Sequence, residues 1–184
     1  GCVLMKGEQL SLWPELGTFY RKVKNIDWVD ISTISDDPKR KADRQLSTLP
    51  TGKYILFKTG GSNIYLKERG LIFPYIKNTI SNIVMVPKGH GTDAYPRVQF
   101  SHEKKKGGFN FKMHRLVALS FIENPDNKPI AHHINESILD YRLDNLDWAT
   151  YSENSKGTKR GAFRKVSGTV GENMLNLAKR GNGL

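Results

Sequence analysis

Between Ile130 and Asn154 apolar and polar stretches follow one another in an order that few local folds satisfy. Ile130-Ala131-His132-His133 is a strand candidate, Asn135 to Asn145 a polar loop, and Leu146-Asp147-Trp148-Ala149 the returning strand. Thr150 and Glu153 have the spacing of a capping box, which predicts a helix beginning near Tyr151. Asn154 then falls in the first turns of that helix, facing back toward the hairpin. Strand, loop, strand and helix in this order draw His132, His133, Asn145 and Asn154 together.

The preceding stretch is also readable. Tyr95 to Phe100 alternates as a strand, Lys104-Lys105-Lys106-Gly107-Gly108 reads as a turn, and Phe109 to Met113 returns as a second strand. His114 to Phe121 follows as a short helix, with Val117 and Phe121 on one face and Asn124-Pro125 as its stop.

Four blocks now stand in order: Met113-His114-Arg115-Leu116-Val117-Ala118, His132-His133, Asn145-Leu146-x-Trp148-x-Thr150, and Glu153-Asn154. Together they resemble the HNH endonuclease family, closest to the phage intron-type HNH homing endonucleases. The similarity covers about residues 95 to 165. It implies an α+β fold: a ββα-metal module over 95–154, preceded by a strand-rich region 1–94 of unclear role and followed by a basic extension 155–184. It implies hydrolysis of phosphodiesters in duplex DNA, homing-like. The alternatives are a restriction or packaging-associated nuclease of the same family, and a non-catalytic nucleic-acid-binding protein that keeps the fold.

By that resemblance His133 is the general base, since imidazole can take a proton from water near neutral pH. His132 and Asn154 would hold one divalent ion, Mg2+ first, with Mn2+ or another transition metal as alternatives. Asn145 would brace the loop and orient His133 without touching the phosphate. The commoner pattern has Asp where this chain has His132, which removes a negative charge and alters the metal preference. Taken one at a time, these residues have plainer readings. Paired histidines suit a polar strand, His114 a packed helix flank, Trp148 a core, and Asn145 a turn. It is the joint spacing that selects the site.

Charge supports a polyanionic partner. The chain has 29 Lys and Arg against 18 Asp and Glu, a formal +11 in 184 residues. The surplus lies on both flanks, and residues 95–154 are neutral. Lys104, Lys105 and Lys106 are candidate phosphate contacts. So are Lys156, Lys159, Arg160, Arg164 and Lys165, in a segment that resembles the extended DNA-tracking tail of homing enzymes. Residues 172–180 have the makings of a short helix.

A single cysteine, Cys2, excludes an internal disulfide and a cysteine-rich zinc cage, and points to a reducing, cytoplasmic setting; the family resemblance implies a phage-infected or bacterial cell. Gly1-Cys2 resembles an acylated start, but Lys6 stands where a myristoylation signal needs Ser or Thr. No apolar run is long enough to span a bilayer, so no membrane partner is expected, nor any small-molecule cofactor.

The N-terminal region reads as strands. Trp28 to Ile31 is one, and Ile80 to Val86 another, ended by Pro87. Tyr54 to Phe57 and Ile64 to Leu66 flank Thr59-Gly60-Gly61-Ser62 and predict a hairpin, while Asp36 to Lys41 predicts a loop.

Overall fold

Alternation of Tyr54, Leu56 and their neighbours does produce a strand, but a longer one than the local pattern predicts. A computed structural model describes residues 22–160, apart from 36–38, 68–69 and 90–93, with side chains described as far as Ser155. In it β2, Tyr54–Gly61, runs straight through the Gly-Gly pair. Its partner is β3, Phe73–Asn78, and not Ile64 to Leu66, which lies in the connection. The expected hairpin turn is therefore absent. The register shifts between Phe57 and Gly61, and a Cβ on Gly61 would lie 2.6 Å from that of Tyr75, so the two glycines serve a close strand approach.

β1, Trp28–Asp30, pairs with β2 on one side, and β4, Ile83–Met85, pairs with β3 on the other. All pairings in this four-stranded sheet are antiparallel. Ile80 does not extend β4. It sits in a turn where Asn82 adopts φ 60° and the Asn78 carboxamide accepts from the Ile80 and Ser81 amides. Asp30 ties the sheet's edge together by accepting from Ser32 N and Gly52 N.

Part of the expected 36–41 loop is helical: α1 begins at Lys41 and ends at Arg44. It carries Asp43, whose carboxylate accepts two bonds from the Arg115 guanidinium at 2.8 and 2.7 Å. Arg115 also donates to Pro129 O and packs over Trp148. The pair is buried, so removing Asp43 would strand a charge at a cost of about 3–5 kcal/mol.

β5, Arg97–His102, and β6, Lys105–Lys112, form a two-stranded ribbon. The turn is shorter than the sequence suggests. Glu103 and Lys104 make it, and Lys105 to Gly108 already belong to β6. Gly107 and Gly108 have positive φ within a bulge, and a Cβ on Gly108 would collide with Phe100 O. α2, Met113–Phe121, follows at once and buries Met113, Leu116, Val117 and Phe121 completely. β7, Ile130–His133, and β8, Leu146–Ala149, form the second hairpin, and α3, Tyr151–Arg160, leaves it directly.

The capping box is present as read: Glu153 N donates to Thr150 Oγ1, and Thr150 N to Glu153 Oε2. α3 continues through Lys156, Lys159 and Arg160, so the start of the basic segment is helical rather than extended. Arg164, Lys165 and the expected 172–180 helix lie outside the described residues.

One hydrophobic core joins Leu56, Phe73 and Ile76 of the first sheet to Phe100, Leu116, Phe121 and Trp148. The loop between β7 and β8 rests on that sheet. The Tyr141 ring packs on Phe73 at 5.1 Å, and Asn63 Nδ2 donates to Leu139 O. Among the described residues no helix is long and apolar enough to cross a membrane. The mixed architecture is α+β.

Candidate metal and nucleic-acid site

In β7 alternate side chains face opposite sides, so adjacent histidines take different roles. His133 turns inward and is 6% exposed, whereas His132 is only half-buried. His132 pairs with Asp147, and His133 with Leu146, across the hairpin.

His132 reaches the first turns of α3. As placed, its Nδ1 donates to Asn154 Oδ1 at 2.8 Å. Burial lowers the His132 pKa, and the bond to Asn154 and the Glu153 charge oppose that fall. Glu153 itself is held below the usual carboxylate range by the Thr150 backbone N–H and by Lys128.

His133 sits among rings. The His114 ring centroid is 4.4 Å from its own, and the Tyr95 ring 5.9 Å. Tyr95 stacks on His114, and Lys112 Nζ lies 4.2 Å from the Tyr95 centroid. Burial above all, then the charges of His132 and Lys112, lowers the His133 pKa to about 3. His114 is also pushed well down, first by burial and then by His133, Lys112, Arg115 and Arg40. Both rings are therefore neutral near pH 7.

Asn145 is fully buried and holds the loop closed. Its Oδ1 accepts from Asn135 N, and its Nδ2 donates to Asn135 Oδ1 and Asp140 O. Its backbone carbonyl accepts from Ile134 N, one residue beyond His133. Asp140 anchors the far side of the loop through Arg142 and Asn135. Asn145 thus fixes the backbone that carries His133 without meeting its ring.

An open cleft of about 1470 Å³ is lined by His114, His132, His133 and Asn154. Lys24, Lys39, Arg40, Arg97, Lys112 and Lys128 also line it, against Asp43, Glu123 and Glu136. Lys104, Lys105 and Lys106 do not; they are exposed at the ribbon's tip. The cleft cations from residues 24–40 escape a sequence reading because only tertiary packing carries them there: Lys24 N donates to Phe121 O, and Arg40 precedes α1, whose Asp43 pairs with Arg115. His114 does lie in a motif block, but one His on a helix flank gives no local sign of a neighbouring ring.

Among the described residues no three His, Cys, Asp or Glu side chains cluster as a metal cage. A two-ligand site is a different case. Donors bound in adjacent positions at about 2.1 Å from an ion lie about 3 Å apart. The His132 and Asn154 atoms stand 2.8 Å apart beside the cleft, a spacing that an ion could take over once the proton between them leaves.

Comparison with known proteins finds two partial matches. The chain is 42% identical over 71 residues to a protein of Acanthamoeba polyphaga mimivirus named uncharacterized HNH endonuclease, covering 38% of this chain and 15% of that protein. A second mimivirus protein of the same description is 43% identical over 42 residues, covering 23% and 13%. The matched stretch is thus a small part of either relative. No family model matches, and no solved structure does.

Proposed function

We propose that the chain is a metal-dependent HNH-type endonuclease that hydrolyses phosphodiesters in duplex DNA, with β7, β8 and α3 as its ββα-metal module. The observation that carries this is the meeting of His132 and Asn154 beside a cationic cleft, with the buried His133 one residue away. Similarity to two proteins named HNH endonuclease supports it.

His132 and Asn154 would hold a divalent ion, Mg2+ in the first instance, with Mn2+ or another transition metal as alternatives. Such an ion supplies charge stabilisation at the departing oxygen. His133 takes a proton from the attacking water. Its Nε2 is fully buried, which leaves Nδ1 to receive that proton. The ring is neutral and ready, but burial above all, and then the charges of His132 and Lys112, keeps it weakly basic. Phosphates entering the cleft oppose the Lys112 charge and raise that basicity. Asn145 keeps the loop from shifting under His133. The cleft cations carry the backbone, and Lys104 to Lys106 and the basic segment from Lys156 to Lys165 extend the contact along the duplex.

Homing-like cutting is our reading of the subtype, by resemblance to the intron-type enzymes. The test is a supercoiled plasmid incubated with Mg2+, with Mn2+ and with EDTA. Nicking or linearisation that EDTA abolishes supports the proposal. Tight binding without cleavage under all conditions would make the chain a DNA-binding protein instead.

A further inference from the structure

Among the described residues β5 and β6 form a sheet of two strands only. Its pleat sorts their side chains to opposite faces. Val98, Phe100, Phe109 and Phe111 are buried on the inner face. Arg97 and Gln99 alternate with them on β5, and Lys112 and Asn110 on β6, so these four share the outer face. The register sets Arg97 opposite Lys112 and Gln99 opposite Asn110. Both carboxamides are exposed. Neither strand contains an acidic residue, although the chain has 18. Arg97, Asn110 and Lys112 all line the cleft, so this outer face continues the wall that holds His132 and Asn154. Gln99 is braced, with Nε2 donating to Gly107 O, which leaves its second N–H and its Oε1 for another partner.

We propose that the outer face of the β5–β6 ribbon enters the major groove beside the cut, and that Asn110, flanked by Gln99, reads adenine there and sets the sequence preference. The inference rests on duplex DNA occupying the cleft, as proposed above. A ribbon of two strands fits the major groove, which is about 12 Å wide. A carboxamide carries a donor and an acceptor side by side, the complement of the N7 and the N6 amino group of adenine. Opposed side chains on a ribbon start about 5 Å apart, and base pairs rise by about 3.4 Å, so the two carboxamides reach the same or adjoining base pairs. Arg97 and Lys112 stand one cross-strand pair further along the ribbon and meet phosphates at the groove's edge. Cations thus position the duplex, and the carboxamides select its sequence.

The experiment mixes the full chain, in EDTA, with a pool of short duplexes of random sequence and sequences those that are bound. Wild type is expected to enrich adenine at a fixed position. Asn110→Ala should lower that preference about five- to a hundredfold, the range for one bidentate base contact, with the salt dependence and unfolding midpoint unchanged. Asn110→Arg should replace adenine by guanine at the same position, a switch that a purely structural role would not produce. Gln99→Ala should relax the same or the adjoining position. Lys39→Ala, a cleft cation, should weaken all sequences alike. A wild type without base preference overturns the inference, and so does a preference unchanged in Asn110→Ala. If Asn110→Ala lowers the unfolding midpoint, Asn110→Arg carries the test, and adenine retained at that position overturns the inference. Cleavage of the same pool in Mg2+ and in Mn2+ separates the claims. Base preference in EDTA without cutting in either ion overturns the nuclease reading and supports this inference. Cutting at random sequence overturns this inference alone, and no binding to any duplex overturns both.

Discussion

His132 Nδ1 and Asn154 Oδ1 stand 2.8 Å apart although 22 positions of chain separate them. The hairpin register and the capping box at Thr150 create this meeting together. β8 returns His132's strand to the start of α3, and the box fixes where that helix turns. Neither device involves the charge of a ligand, so the pair is preformed.

If the pair is a metal site, Asn154→Ala should raise the Mg2+ concentration for half-maximal cleavage by about tenfold or more, since even supporting partners act on that scale. DNA binding in EDTA should stay unchanged. His132→Asp should shift the balance toward Mg2+, because a carboxylate is the harder donor. Metal titrations of cleavage decide this, and curves that superimpose on wild type would remove Asn154 from the ligand set.

Asn145→Ala should destabilise the fold as well as slow cleavage. It abandons Asn135 N and Asp140 O in a buried loop, and each unsatisfied group costs about 1–3 kcal/mol. Denaturant unfolding should show the midpoint falling. A midpoint equal to wild type would mean that the loop is held without Asn145.

Acid should weaken the fold through the histidines. In the folded chain the His133 pKa lies at about 3, below its ordinary value near 6.5, and His114 and His132 are lowered too. Between those values the unfolded chain binds more protons than the folded one. The stability contributed by neutral His133 is therefore complete above about pH 6.5 and is lost as pH falls toward 3. Unfolding midpoints measured from pH 7.5 to 4 should fall more shallowly in His133→Phe than in wild type. Parallel curves would show that His133 is not titrating against burial.

DNA binding should depend steeply on salt. Each neutralised phosphate adds about 0.9 to the slope of log affinity against log salt, so Lys39→Ala with Arg40→Ala should lower that slope by up to about 1.8. The effect should be equal on unrelated sequences, since backbone contacts do not read bases. Ala at Lys104, Lys105 and Lys106 should matter less, because these side chains lie away from the cleft. The reverse order would place the duplex along the ribbon's tip.

The second half of the chain was legible because its signals are local. Alternation set β5, β7 and β8, and Thr150 with Glu153 set α3. The first half was not, because its strand partners are chosen at a distance. Ile64 to Leu66 look as apolar as Phe73 to Ile76, but Phe73 and Ile76 reach the core, and β3 takes the place beside β2. At the site, the four motif residues stood in the sequence. The rings around His133 did not, since Tyr95 and His114 approach it from separate elements. Nor did the cations of residues 24–40: the backbone bond from Lys24 to Phe121 brings Lys24 to the cleft, and α1, tied to Arg115 through Asp43, brings Arg40.

The central claim is that His133 is the base of a metal-dependent nuclease, and single-turnover nicking of supercoiled plasmid by His133→Ala in Mg2+ tests it most directly. Affinity for the same DNA in EDTA serves as the control. The account predicts a rate lower by on the order of a hundred- to ten-thousand-fold, with affinity unchanged. A wild-type nicking rate in the variant would contradict it.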